Sequence, residues 1–382
     1  MDRLTVLQVL PALGGGGVER GSVEMAAAIA QAGGVALVAS AGGRRAAEVT
    51  AAGGRNIVLP LDTKNPLALW RNAARLAELI RAEGVQLVHA RSRAPAWSAW
   101  LAARRTGVAF VTTYHGAYGE NFPGKRHYNA VMARGARVIA ISHFIAGLIL
   151  RRHRIDPARI RIIPRGVDPA TFDPAAVAPE RLRRLAAAWQ LPPGRKVVML
   201  PGRLARWKGQ DVLLRALAGR DAVCVLVGGE RQHPAYAREL AALAARLGVA
   251  LHMVGHCDDM PAALLLADVV VSASVAPEAF GRVVIEAQAM ARPVIASRHG
   301  GAAETIAPDS TGLLVPPGDA AALAAALDQV LAMPPAARAA LGAEARAAVL
   351  ARYTVAAMQA ATLAVYREVL AEHRQGHESR ST

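Results

Sequence analysis

Short apolar runs alternate with helical patterns along almost the whole chain. This alternation is typical of a parallel sheet whose strands are joined by helices. In the first half it predicts helices at 18–31 and 67–81 and strands at 6–10, 35–39, 57–61, 87–89, 110–114, 138–141 and 160–163. These elements predict one α/β domain.

A stretch rich in Pro and Ala separates this domain from a second alternation. Residues 168–194 contain five prolines, a composition typical of a linker. Beyond it we predict strands at 197–200, 223–227, 251–254, 269–272, 294–296 and 313–315. The expected domains are 1–170 and 195–352, with a linker at 171–194 and a helical tail at 353–382. A helical pattern already runs from residue 320, interrupted at Pro334 and Pro335 and near Thr354.

Length and composition exclude several classes of protein. The chain has 382 residues, of which 53% are hydrophobic, so it is neither disordered nor a small disulfide scaffold. Its two cysteines, Cys224 and Cys257, lie far apart without a metal-binding spacing. The longest apolar runs, 138–150 and 260–277, are broken by polar residues and fall short of the roughly 20 apolar residues that span a bilayer. We therefore expect a cytoplasmic protein without a transmembrane segment.

The chain is strongly basic, with 45 Lys and Arg against 29 Asp and Glu. Residues 1–180 contain 23 basic and 12 acidic residues, a net charge of +11, and the remainder carries +5. Charge alone leaves nucleic acid, anionic lipid and a phosphorylated substrate open as partners. Aromatic residues make up 4% of the chain, and no nucleic-acid recognition motif is present, so nucleic acid is the least favoured of these partners.

Four glycines, 14–17, follow the first predicted strand and precede a helix. Glycine lets a ligand approach the backbone, and the N–H groups of a helix start attract anions. The run is not GxGxxG, and no acidic residue follows at the position typical of dinucleotide sites. It is either a phosphate or substrate loop, with Gly15 and Gly16 as candidates, or a plain turn.

Two further motifs follow strands of the second half. Arg203 and Lys208 lie on a glycine-flanked loop, where two cations can hold a diphosphate without a metal. Glu278 precedes a predicted helix start at Gly281, and Glu286 lies about one turn inside that helix. Each motif has a simpler interpretation as a solvated turn or a capping carboxylate.

The backbone N–H groups at this helix start are candidates to hold phosphate oxygens, and the carboxylates are candidates to accept hydrogen bonds from sugar hydroxyls. The N–H donors would be those of Gly281, Arg282 and Val283. In the first half, His115 ends a strand and is followed by glycine, which favours an accessible position. No metal-binding or Cys/His pattern is evident.

Together these motifs resemble glycosyltransferase family 4. The resemblance covers residues 5–320 and includes the glycine run, 114–116, 163–168, 202–209 and the Glu-x7-Glu pair with Phe280 and Gly281. It implies a GT-B architecture, in which two Rossmann-like domains have parallel sheets that face a central cleft. It also implies metal-independent transfer from a nucleotide sugar, with retention at the anomeric carbon and no cofactor.

The resemblance assigns roles to individual residues. It places Arg203 and Lys208 on the donor diphosphate, Glu286 on the ribose hydroxyls, and Glu278 on the donor sugar. The N–H groups after Phe280 would assist Glu278. His115 would lie near the reacting sugar, and the glycine run would face phosphate and acceptor. Arg165 occupies a position where many relatives have Asn, so its role stays open.

A narrower resemblance, carried by residues 90–100, 113–118 and 131–135, is to bacterial lipopolysaccharide-core glycosyltransferases. It implies a glycolipid or saccharide acceptor, met by domain 1–170 at an anionic membrane surface on the inner face of the cytoplasmic membrane. The C-terminal helix would bridge to the first domain. The alternatives are an epimerase or phosphorylase of the same fold, a binding-only relative, and a basic nucleic-acid-binding protein.

Overall fold

The structure is a computed structural model that describes residues 3–229 and 233–381. The chain divides into two compact units. The first contains the residues up to Pro164 together with those from Val355 onwards, and the second is the continuous segment Arg165–Thr354. Each unit is built on one parallel sheet, as the alternating pattern predicts.

The first unit contains, within the described residues, seven strands in the order β3-β2-β1-β4-β5-β6-β7. The strands are β1 (Thr5–Val9), β2 (Val35–Ser40), β3 (Arg55–Val58), β4 (Leu87–Ala90), β5 (Ala109–Tyr114), β6 (Arg137–Ala140) and β7 (Ile160–Ile162). The helices are α1 (Gly17–Gln31), α2 (Ala46–Ala51), α3 (Pro66–Ala82), α4 (Arg93–Thr106), α5 (Lys125–Asn129) and α6 (His143–Arg152), with α14 (Val355–Ser381) from the far end of the chain.

The central strands β1, β4 and β5 are buried throughout, which explains why their sequences are mainly apolar. The strand order changes direction between β1 and β4, which pair in parallel with Gln8 beside His89. Ligands of such sheets bind outside the carboxyl ends of the strands at this switch point. The loop after β1 therefore occupies the expected ligand position of this unit.

The last helix, α14, completes the core of the first unit. Its buried Met358, Val365, Tyr366 and Val369 belong to the same hydrophobic cluster as residues of β1 and α1. The Tyr366 hydroxyl lies 2.7 Å from Nδ1 of the buried His89. A helix distant in sequence is thus part of the first sheet's packing.

The second unit contains, within the described residues, six strands in the order β10-β9-β8-β11-β12-β13. They are β8 (Lys196–Pro201), β9 (Ala222–Val227), β10 (Ala250–Met253), β11 (Val269–Ser272), β12 (Val294–Ser297) and β13 (Leu313–Val315). Its helices are α7 (Pro179–Ala188), α8 (Gln210–Leu217), α9 (Pro234–Leu247), α10 (Met260–Leu266), α11 (Arg282–Ala289), α12 (Ala320–Ala332) and α13 (Pro335–Arg352). The switch point here lies between β8 and β11.

The stretch interpreted as a linker differs from that expectation, because it forms helix α7 and belongs to the second unit. Arg181 of this helix pairs with Asp259 at 2.6 Å. Asp259 also caps α10, since its Oδ1 accepts a hydrogen bond from the Ala262 N–H. The prolines of this stretch mark helix starts: Pro174 begins a short 3-10 helix and Pro179 begins α7.

The long apolar runs divide at their polar residues. Ser142 ends the strand segment of one run and caps α6 by accepting from the Ile145 N–H. In the part of the chain that the structure describes, no single helix is long and apolar enough to cross a membrane. Helices α12 and α13 reach the required length and hydropathy only when taken together, and the chain bends by 112° between them. Cys224 and Cys257 are both free and buried.

Candidate functional site

Three neighbouring strands of the second sheet end where the predicted motifs begin. The loop 202–209 follows β8, the Glu278 loop follows β11, and residues 298–301 follow β12. Since β8, β11 and β12 are adjacent and parallel, their carboxyl ends lie at one edge of the sheet. The sequence motifs therefore converge at the switch point of this unit.

Lys208 and Glu278 form the centre of this edge. Lys208 Nζ donates to Glu278 Oε1 at 2.8 Å, and the two side chains are only 13% and 12% exposed. The Ser274 hydroxyl donates to the same carboxylate oxygen at 2.6 Å. Lys208 also lies 4.6 Å from the centre of the Trp207 ring. A fixed, charged lysine and a fixed carboxylate thus occupy one largely desolvated place.

Glycines determine how closely these loops approach one another. Gly209 has φ +70°, and a Cβ there would collide with the carbonyl oxygen of Ala273. Gly300 has φ +65°, and a Cβ there would lie 2.5 Å from the backbone oxygen of Glu278. Both positions need a backbone conformation and a close contact that only glycine provides. The loop that carries Lys208 can therefore lie against Ala273, and the loop that carries Glu278 can lie against Gly300.

Helix α11 begins at Arg282, directly after Gly281, as predicted. Gly281 has φ +80° and supplies no side-chain cap for the first turn of the helix. Within this helix, Arg282 Nε lies 3.6 Å from Glu286 Oε1. Phe280 is buried and makes an edge contact with Tyr353 at 5.9 Å. Phe280 thus anchors the loop, and the first turn of α11 keeps backbone donors for an anion.

Arg203 differs from Lys208 in its surroundings. Its side chain is exposed and makes no ion pair with a described residue. Its backbone oxygen accepts a hydrogen bond from the amide of the buried Gln210 at 2.9 Å. The loop is thus held through its backbone, and the guanidinium remains available to solvent and ligands.

The glycine run lies at the switch point of the first unit. Gly15 and Gly16 are exposed, and α1 begins at Gly17. A Cβ on Gly15 would collide with the guanidinium of Arg44, and one on Gly16 would lie 2.5 Å from Glu19 Oε2. The loop therefore brings one cation and one carboxylate against bare backbone.

His115 directly follows β5 in the same unit and is partly buried. Its backbone N–H faces the Tyr118 hydroxyl at 3.4 Å. Arg165, the position left open above, is buried with 5% of its surface exposed.

Sequence reasoning missed Ser274, His299 and Arg44. His299 Nε2 lies 2.7 Å from the Ser274 backbone oxygen and so fixes the loop that holds Glu278. The sequence does contain a signal for Arg44. Gly42 and Gly43 precede it shortly after the end of β2, and β2 is the neighbour of β1 in the sheet. In the described part of the chain, no group of three or more His, Cys, Asp or Glu side chains is placed to hold a metal ion.

Comparison with known proteins decides the family. The family described as Glycosyltransferase Family 4 matches residues 15–171, and the family described as Glycosyl transferases group 1 matches residues 183–348. The D-inositol 3-phosphate glycosyltransferase of Salinispora tropica is 32% identical over 328 residues, which cover 78% of this chain and 67% of that protein. The chain belongs to the family 4 glycosyltransferases.

Solved structures extend this likeness over nearly the whole of this chain. A glycosyltransferase from Rickettsia africae has a TM-score of 0.90 and 36% identity, covering 97% of this chain and 99% of its own. HepE from Anabaena, in complex with UDP and glucose, has a TM-score of 0.84 and 23% identity, covering 96% and 100%. The fold is GT-B, with two Rossmann-like domains, and the protein is a nucleotide-sugar-dependent transferase.

Proposed function

We propose that this glycosyltransferase moves a sugar from a UDP-type donor with retention at the anomeric carbon and without a metal ion. The observation that carries the proposal is the Lys208–Glu278 pair beside the glycine-capped start of α11. A lysine and the backbone N–H groups of a helix start, together at the carboxyl edge of a sheet, suit a diphosphate. HepE, solved with UDP and with UDP-glucose, makes uracil the first base to test.

The reaction depends on charge that develops as the bond between sugar and diphosphate breaks. Negative charge grows on the leaving diphosphate, and positive charge grows on the sugar ring. Lys208, Arg203 and the first N–H groups of α11 stabilise the diphosphate, and their fixed positions lower the barrier. When the diphosphate binds, Lys208 pairs with it in place of Glu278. The Glu278 carboxylate can then accept a hydrogen bond from a sugar hydroxyl.

The remaining site residues take supporting roles. Glu286, held beside Arg282, accepts hydrogen bonds from the ribose hydroxyls. The backbone N–H groups of Gly281, Arg282 and Val283 hold phosphate oxygens. His115 contacts the reacting sugar, and the Gly15–Gly16 backbone with Arg44 faces phosphate or acceptor.

The acceptor we propose is a glycolipid or saccharide of the cell envelope, lipopolysaccharide included, met at the anionic inner face of the cytoplasmic membrane. The basic first half of the chain supports this acceptor. Leu67, Trp70 and Phe122 are 57%, 56% and 60% exposed as whole residues and offer apolar contacts to a membrane surface. The Salinispora relative acts, by its name, on D-inositol 3-phosphate, so a phosphorylated acceptor is the second candidate.

The decisive experiment measures binding of UDP and UDP-glucose by calorimetry, and then product formation with and without EDTA. We expect Lys208→Ala and Arg203→Ala to weaken UDP binding by about 1.5–3 kcal/mol each, the cost of losing a charged hydrogen bond. Arg246→Ala removes an equal charge from an exposed position of the same unit and should leave binding unchanged.

The proposal fails if both variants keep full activity, or if EDTA abolishes turnover of the unmodified enzyme. A phosphorylase of the same fold would instead require inorganic phosphate for turnover. An epimerase would convert the nucleotide sugar without any acceptor.

A further inference from the structure

An open cavity of about 880 Å³ lies on the helical layer of the first unit. Its walls come from α4, from α5 with the 3-10 turn that follows it, and from the segment between α6 and β7. Arg134, Arg154 and Arg159 precede the amino ends of β6 and β7, whereas the glycine run and His115 follow carboxyl ends. The cavity is therefore separate from the strand-end residues described above.

The cavity is lined by five arginines, namely Arg126, Arg134, Arg152, Arg154 and Arg159. Arg126 Nε donates to the backbone oxygen of Arg152 at 2.7 Å, and Arg152 and Arg159 also donate to backbone oxygens. A backbone oxygen orients a guanidinium without neutralising its charge. Among the described residues, the carboxylate that approaches these arginines is Glu120, 3.8 Å from Arg152.

Some arginines elsewhere in the first unit have close carboxylate partners. Arg55 pairs with Glu83 at 2.6 Å, and Arg137 pairs with Glu368 at 2.8 Å. The cavity thus concentrates positive charge that the described part of the protein leaves largely uncompensated. Such a concentration attracts anions and repels itself in their absence.

Aromatic rings hold part of this charge in place. The Arg134 guanidinium lies 5.0 Å from the centre of the Trp97 ring and 4.2 Å from that of Trp100. Trp100 and His127 also line the cavity and offer flat surfaces for the carbon skeleton of a ligand. A stacked guanidinium keeps its charge and its planar set of donors, which match phosphate oxygens two at a time.

We propose that this cavity binds a ligand with two or more phosphate groups. The phosphate groups come either from a soluble phosphorylated molecule or from a lipid headgroup, and both share the same chemistry.

The first test is calorimetry of the full chain with inorganic tripolyphosphate, with excess UDP present to occupy the donor site. We expect binding to the unmodified protein, and about tenfold weaker binding to Arg134→Gln and to Arg154→Gln. Arg105→Gln is the matched control, because it removes the same charge from an exposed position outside the cavity. Thermal unfolding midpoints check that each variant is folded. Arg154 makes no polar contact with a described residue, so we expect its replacement to leave the fold intact.

A second arm replaces tripolyphosphate with vesicles of phosphatidylcholine, with or without phosphatidylinositol bisphosphate. A loss specific to the two cavity variants with tripolyphosphate supports a soluble ligand, and the same loss with bisphosphate vesicles alone supports a lipid headgroup. Absent binding in both arms, or an equal loss in Arg105→Gln, overturns the proposal.

Discussion

The two carboxylates of the Glu-x7-Glu pair have different neighbours, and this difference predicts different effects on ligands. Glu286 should contact the ribose of both the donor and the nucleoside diphosphate product, whereas Glu278 should contact only the sugar of the donor. We therefore expect Glu286→Ala to weaken both ligands, and Glu278→Ala to weaken mainly the sugar-bearing one. Calorimetry with UDP and UDP-glucose measures both affinities. Equal losses in both variants on both ligands would contradict this division.

Gly209 provides a second prediction at the scale of single residues. Its φ of +70° and the position of the Ala273 oxygen leave no room for a Cβ. Gly209→Ala should lower the thermal unfolding midpoint and weaken UDP binding, because Lys208 precedes it directly. Gly219→Ala is the control, since Gly219 has φ +74° and a Cβ added there would meet no described atom within 4 Å. Its cost should be limited to the backbone strain of about 1 kcal/mol. A midpoint as low for Gly219→Ala would show that steric contact at Gly209 is unimportant.

The sequence predicts that the candidate residues of the second unit follow two of its strands, and the structure confirms this position after β8 and β11. The sequence does not predict the partners of these residues. The helix start at Gly281 follows from local pattern alone, and the structure confirms it. The contact between Lys208 and Glu278 joins residues 70 positions apart and depends on β8 and β11 being neighbours. Ser274 had no signal of its own, because its hydroxyl matters only once Glu278 is beside it.

At the scale of elements, α14 is tied to the first sheet by an ion-pair network. Glu368 on this helix accepts hydrogen bonds from Arg161 and Arg137. The hydrogen bond from Arg161 is the largest cause that holds the pKa of Glu368 below its ordinary value, with Arg137 adding to it. A carboxylate with a lowered pKa stabilises the folded state above its unfolded pKa, and that stabilisation is lost as the pH falls through the folded pKa.

Glu368→Gln should therefore reduce the free energy of unfolding at pH 7 by about 1 kcal/mol. The difference from the unmodified protein should shrink as the pH falls below about 4.3, the ordinary pKa of Glu. Glu78→Gln, at an exposed position on α3, serves as the control and should have little effect at either pH. Denaturant unfolding at several pH values measures the difference. A constant difference across this range would mean that charge is not the cause.

Most elements could be predicted because each buries one face or both. The interruptions predicted at Pro334 and Thr354 fall between α12, α13 and α14. The strand predicted at 57–61 begins earlier, at Arg55. Arg55 and Asn56 are part of the strand because they pair with β2, but as polar residues they give no strand pattern in the sequence. Helix α7 does not stand out in the sequence, because the prolines at its start and on either side of it give the stretch the composition of a linker. This composition hides the amphipathic pattern between them.

At the scale of the whole molecule, the charge difference between the halves predicts membrane association. Basic residues near an anionic lipid surface each contribute about 1 kcal/mol before salt screening. We expect the full chain to co-sediment with anionic vesicles at low salt, less at high salt, and weakly with neutral vesicles. Absent binding, or equal binding to neutral and anionic vesicles, would show that the basic half serves another purpose.

The discontinuous first unit has a consequence for synthesis. Residues 1–164 are synthesised first, but the Tyr366 side chain that contacts His89 belongs to α14, which emerges after the whole second unit. The second unit is continuous, so all of its core is available before α14 has been made. The second unit can therefore fold while the chain is growing, whereas the first unit must wait for α14. A ribosome that stops early leaves the apolar surface under α14 uncovered, which marks the unfinished product for chaperones and proteases.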